Sequence, residues 1–134
     1  MVNFDENRHY KAKTLFDKVS EKDFVIYEPF LFDVELAGIL RRRYDETTTS
    51  NILNDLKDKI EIIDEPPLHK IALNIAIKTH CRAIDSYFIA TAKITSSILI
   101  TNDKIMDKNA KKFGTESYYL IDDFDEVMKK LETL

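Results

Sequence analysis

Three acidic side chains stand where a carboxylate is either costly or useful. Glu35 lies in an apolar run, with Leu31 and Ile39 one turn away on either side. Asp85 falls in the first turn of the segment Ala83-Ile84-Asp85-Ser86-Tyr87-Phe88-Ile89-Ala90. Asp103 follows the apolar run Ile98-Leu99-Ile100 by three residues. An ionised carboxylate in an apolar setting is unfavourable unless a cation accompanies it. Carboxylates gathered in one place raise one another's pKa values, and a divalent ion reverses that penalty. Mg²⁺ prefers carboxylate and water oxygens. Such an ion activates water and stabilises a phosphodiester transition state. Zinc chemistry has no comparable support, because His9, His69 and His80 are scattered and Cys81 is the single cysteine.

Each of these residues also has a plainer reading, and the residues alone leave both open. Asp103 can serve as the N-cap of the helix that follows Thr101-Asn102. Asp85 can be an acidic residue favoured by a helix dipole. Glu35 can be one half of an ion pair with Arg82, or with the run Arg41-Arg42-Arg43 of a neighbour. That run is itself either a solvated helix end or a rim that touches phosphate. His80 and Cys81 read as structural.

The elements that position these groups follow from periodicity and punctuation. A helix is expected over 7–20, with Tyr10, Leu15, Phe16 and Val19 on its apolar side. A short strand over 23–27 is stopped by Pro29. The helix over 30–43 is so apolar that much of it is expected to be buried. Thr47-Thr48-Thr49-Ser50 offers caps for a helix to about Lys59, and 60–63 reads as a second strand. Pro66 and Pro67 end that strand and can open the next helix. Helices over 68–79 and 83–95 divide near His80-Cys81. The strand over 97–101 is a continuous apolar run, typical of strands buried in a parallel sheet. A helix from Asn102-Asp103 reaches Phe113 and meets Gly114, where a left-handed residue is wanted. A strand over 117–121 and a last helix opened by Asp122-Asp123 complete the chain. Ligands of open parallel sheets bind beyond the carboxyl ends of the strands, which is where Asp103 falls.

The bulk numbers agree with one α/β domain over 1–134. The chain has 134 residues, 44% hydrophobic and 33% charged, which suits a folded globular protein. Its formal net charge of −4 excludes nucleic-acid binding by bulk attraction and requires a local patch instead. One cysteine suits a reducing compartment. No run approaches membrane-spanning length, and the N-terminus lacks a basic-then-apolar leader. A cytoplasmic location without membrane association is therefore expected.

The segment from Arg82-Ala83-Ile84-Asp85 to Ala90-Thr91-Ala92, followed by Ile98-Leu99-Ile100-Thr101-Asn102-Asp103-Lys104, resembles the motif pair of PIN domains. Val34-Glu35-Leu36 with Leu40-Arg41-Arg42 resembles the second acidic motif of that family, and Asn7 to Ala12 resembles the helix before it. The resemblance implies a three-layer α/β/α fold around a short parallel sheet. It implies a nuclease that hydrolyses RNA with Mg²⁺ or Mn²⁺, with Glu35, Asp85 and Asp103 as catalytic metal ligands. Thr101 would orient its neighbours, and Asp107 is a candidate for an outer contact. It also implies a VapC-like toxin, held by an antitoxin protein and paired as a homodimer.

One part of the family pattern is absent. Its members begin with an apolar strand ending in Asp, whereas here only Val2-Asn3-Phe4-Asp5 precedes the first helix. Either Asp5 is a displaced remnant of that carboxylate, or the first strand and helix are missing. A start upstream, a rearranged N-terminus and a strand donated by a partner chain are the three outcomes, and the first is the expectation carried forward. The alternative function is a degenerate, non-catalytic module that binds RNA or protein. A receiver-like signalling domain ranks last, because the N-terminus is too short for its acidic pair.

Overall fold

The structure, a computed structural model, describes residues 4–134. The remnant expected over 2–5 falls outside the described residues except for the backbone of 4 and 5, and the Asp5 carboxylate is not described. Among the described residues seven helices alternate with four short parallel strands, so the expected α/β class is what forms. The strands make two separate two-stranded sheets, one in each of two compact units.

The unit spanning Val25–Ser96 begins with β1 (Ile26–Pro29). It continues through α2 (Phe32–Leu40) and α3 (Glu46–Lys57) to β2 (Ile60–Ile63). β2 lies parallel to β1, with Ile26 opposite Ile60 and Pro29 opposite Ile63. Helices α4 (Glu65–Thr79) and α5 (Ala83–Thr95) complete the unit, packing on each other while α5 also packs on β1. Their sequences show why. On α4 the buried residues Leu68, Ala72, Ile75 and Thr79 recur at helical spacing. On α5 the buried set includes Ile89, Ala90 and Ala92, whose small alanines let the two helices approach.

Several boundaries move for local reasons. Pro66 and Pro67 lie inside the first turn of α4, which starts at Glu65. The cap of α3 is Asp45, whose carboxylate accepts from the Thr48 backbone N–H at 2.7 Å; the Thr47–Ser50 run lies inside the helix. β1 includes Pro29 at its last position, where a missing N–H is tolerated. The expectation that α2 is largely buried is not met, since none of its residues is buried. Phe32, Leu36, Ala37 and Leu40 are half-buried, and α2 packs on α3, while its other side faces solvent.

The second unit joins residues 4–24 to 97–134. Helix α1 (Phe4–Glu21) packs on the terminal helix α7 (Leu120–Thr133). Lys18 pairs with Glu132 at 2.7 Å, and Lys22 Nζ donates to the carbonyls of Leu131 and Glu132 at 3.0 Å each. These lysines answer the negative end of the α7 dipole. Between them in sequence, β3 (Leu99–Thr101) runs parallel to β4 (Ser117–Tyr119), and α6 (Lys104–Phe113) packs on both. Gly114 closes α6 at φ 92°, the left-handed backbone a glycine adopts without a Cβ penalty. The core of this unit is Met106, Ala110, Leu120, Val127 and Leu131.

The two faces of α4 give a direct test of the packing. Ile75 is fully buried, and Ile77, two residues on, is 68% exposed. Ile75→Ala is expected to cost about 2–5 kcal/mol of unfolding free energy in urea titrations. Ile77→Ala is expected to change it by less than about 0.5 kcal/mol.

Candidate acidic site

Asp85 is the buried member of the predicted set. Arg82 is the N-cap of α5 and makes no side-chain cap bond, which leaves Asp85 in the first turn of the helix. Packing of α5 on α4 and β1 encloses this turn, and Asp85 is 1% exposed. Its Oδ1 lies 3.4 Å from Nη2 of Arg82, whose side chain is 73% exposed. The helix N-terminus and this guanidinium are the electropositive neighbours of a side chain that burial removes from water.

Glu35 belongs to the same unit but not to the same environment. It is exposed on α2, so the apolar setting expected for it is not what the helix provides. Its flanking apolar residues, Val34 at 74% and Ile39 at 49%, are exposed too. Within the chain the Arg41 guanidinium lies 4.0 Å from Glu46 and donates to the Tyr44 carbonyl at 3.0 Å, and Arg82, the intrachain partner considered for Glu35, lies 3.4 Å from Asp85.

A carboxylate absent from the predicted set stands beside it. Glu28, on β1, is half-buried, and its pKa is pushed up to about 7 from 4.5. Burial is the main cause, and the negative charge of Glu35 adds to it. Strand position could have flagged this residue: Glu28 sits next to the last position of a parallel strand, where ligands of α/β sheets gather.

Asp103 lies in the other unit and is half-buried. It caps α6, its Oδ1 accepting from the backbone N–H groups of Ile105 at 2.9 Å and Met106 at 3.0 Å. Thr101 does orient it, since its hydroxyl oxygen accepts from the Asp103 backbone N–H at 3.0 Å. Asp107 is engaged as a structural group: Ser117 donates to it at 2.7 Å and Lys111 pairs with it at 2.9 Å. Lys111 also lies 3.8 Å from Asp123, whose carboxylate accepts from the Tyr119 N–H at 3.0 Å. This network ties α6 to β4 and to the start of α7 within their unit.

Among the described residues no group of three or more His, Cys, Asp or Glu side chains could hold a metal ion. None of the described helices is long and apolar enough to cross a membrane.

The Glu28 shift has a sign that can be measured. A raised carboxylate pKa means that the folded state binds its proton more tightly than the unfolded state. Stability from this group is therefore complete below pH 4.5 and is lost as pH rises through about 7. Glu28→Gln is expected to be more stable than the parent at pH 8 by about 2 kcal/mol, with the difference vanishing below the unfolded pKa. Chemical denaturation of both proteins across this range checks it.

Neither the curated proteins nor the solved structures provide a match to this chain. A family model does: PIN domain, over residues 1–112. The match takes in the α5 turn that carries Asp85, the α2 helix that carries Glu35, and the β3–α6 junction at Thr101 and Asp103. With most of its length matched, the chain belongs to the PIN domain family.

Proposed function

We propose that the chain is an endoribonuclease dependent on Mg²⁺ or Mn²⁺, the toxin member of a VapBC-like toxin–antitoxin pair, working at an acidic site made by Asp85, Glu35 and Asp103. PIN domains are nucleases in type, and the observation that carries the reading is the burial of Asp85. A carboxyl group kept 1% exposed, at the positive end of a helix and beside an arginine, sits where its charge is costly unless a cation accompanies it. Structural ion pairs seldom need an acid that deep, since well-packed apolar residues do as well or better.

In this reading Asp85 is the fixed ligand, and Glu35 and Asp103 are recruited. Glu35 is exposed and free to change rotamer. Asp103 would exchange part of its capping role for a cation, a coupling of binding to local rearrangement. Arg82, whose side chain is 73% exposed, would meet a substrate phosphate once its hold on Asp85 is released. An antitoxin protein would restrain the enzyme, and the active form would be a homodimer in the cytoplasm, with the chain folded as one domain over 1–134.

The second reading, a non-catalytic PIN module that binds RNA or protein, is favoured by one observation: no three candidate ligands are gathered among the described residues. Cleavage separates the two. Purified protein is expected to cut single-stranded or structured RNA when Mg²⁺ or Mn²⁺ is added. Asp85→Asn is expected to lower the rate at least about 100-fold, in line with loss of a metal ligand. Asp103→Asn should keep the α6 cap and the stability while losing activity, whereas Asp103→Ala should lose both, the cap being worth about 1 kcal/mol. RNA binding without metal-dependent cleavage, unaffected by Asp85→Asn, would select the second reading.

A further inference from the structure

We infer that the turn closing α2 is a subsite for single-stranded RNA, in which Arg42 and Arg43 hold phosphates and the Tyr44 ring stacks on an unpaired base. The inference rests on the reading that RNA is the substrate, and it says which residues hold the strand outside the acidic site.

A chain of net charge −4 can hold RNA only through a local positive patch. Arg41-Arg42-Arg43 is the longest run of consecutive cations in the sequence, and Tyr44 follows it directly. Cations at a helix end commonly answer its last carbonyls. Here backbone N–H groups take that role. Arg41 N–H donates to the Ala37 carbonyl at 3.0 Å and Arg42 N–H to that of Ile39 at 3.3 Å. The N–H groups of Arg43 and Tyr44 both donate to the Leu40 carbonyl, at 3.0 and 2.9 Å. The Arg41 side chain turns back as a brace, onto the Tyr44 carbonyl and towards Glu46. Asp45, the next acid, commits its carboxylate to the Thr48 N–H as the cap of α3. Arg42 and Arg43 are exposed, and among the described residues no ion pair or side-chain hydrogen bond engages either.

Tyr44 adds what a merely solvated run of cations lacks. It is 47% exposed, and among the described residues it meets no other aromatic ring. A ring displayed beside two guanidiniums on a hydrogen-bonded turn offers a stacking face next to phosphate donors. Duplex RNA keeps its bases stacked inside, so a single strand is what fits. The subsite also continues one side of α2. Positions 35, 38, 39 and 42 recur at helical spacing, and all are exposed. Arg42 thus stands two turns from Glu35, roughly 10 Å along the axis. Between them a Cβ built on Gly38 would meet nothing within 4 Å, so the stripe is low at its middle and a nucleic-acid backbone can lie close.

Fluorescence anisotropy with a labelled single-stranded RNA pool of random sequence, about 12 nucleotides long, tests this in a chelating buffer where metal-dependent cleavage is silent. Arg42→Ala combined with Arg43→Ala is expected to raise Kd at least about tenfold, with unchanged circular dichroism. It should also reduce the slope of log Kd against log salt by about 1.4, two phosphate contacts' worth. Tyr44→Ala should raise Kd at least about fivefold without changing that slope, while Tyr44→Phe keeps the parent affinity. Duplex RNA of the same length should be indifferent to Tyr44→Ala. A protein that binds in this way but cuts nothing upholds the subsite and removes only the nuclease reading. A parent chain that binds no RNA would overturn the inference. So would arginine variants that bind with the parent's affinity and salt slope, even in a protein that cuts RNA; the run would then face a protein partner or solvent. Equal losses in Tyr44→Ala and Tyr44→Phe would overturn the stacking.

Discussion

Keeping a carboxylate out of water is the constraint around which the Val25–Ser96 unit is organised. Asp85 is buried on the first turn of α5, a helix that packs on α4 and on β1, and the Arg82 guanidinium lies 3.4 Å from it. The alanines of α5 and the Leu68, Ala72 and Ile75 stripe of α4 bring the helices close enough to enclose that turn. Enclosure raises the energy of the charge, and the helix N-terminus and the arginine lower it again. Burial thus acts on chemistry directly, since a charge with little solvent around it interacts strongly with whatever cation reaches it.

The same unit concentrates acids that burial alone does not require. Glu28 is held half-protonated near neutral pH by desolvation and by Glu35. A region that already disfavours one more negative charge favours a positive one. Asp103 differs in kind, because its carboxylate is satisfied by two backbone N–H groups at the head of α6.

Much of this was legible in the sequence, and the exceptions have identifiable causes. Helices α5 and α6 fall where spacing and punctuation put them, with Gly114 left-handed after Phe113. The places of Asp85 in the first turn of α5 and of Asp103 at the head of α6 were legible because a helix start and a strand end are local features. The Asp45 cap was missed because a hydroxyl run next to it carried a stronger apparent signal. The exposure of α2 was missed because an apolar helix reports that a surface must be covered and says nothing about what covers it. Glu28 was passed over because its burial depends on what packs over β1, which no local pattern encodes.

The central claim is that the buried carboxylate of Asp85 anchors a divalent cation, and binding of Mn²⁺ tests it without any substrate. Electron paramagnetic resonance of the free ion during titration with protein is the direct measurement. The account predicts that the wild-type chain depletes the free Mn²⁺ signal and that Asp85→Asn, folded to the same extent, leaves it unchanged. A wild-type protein that takes up no Mn²⁺, or an Asp85→Asn variant that takes up as much, would contradict it.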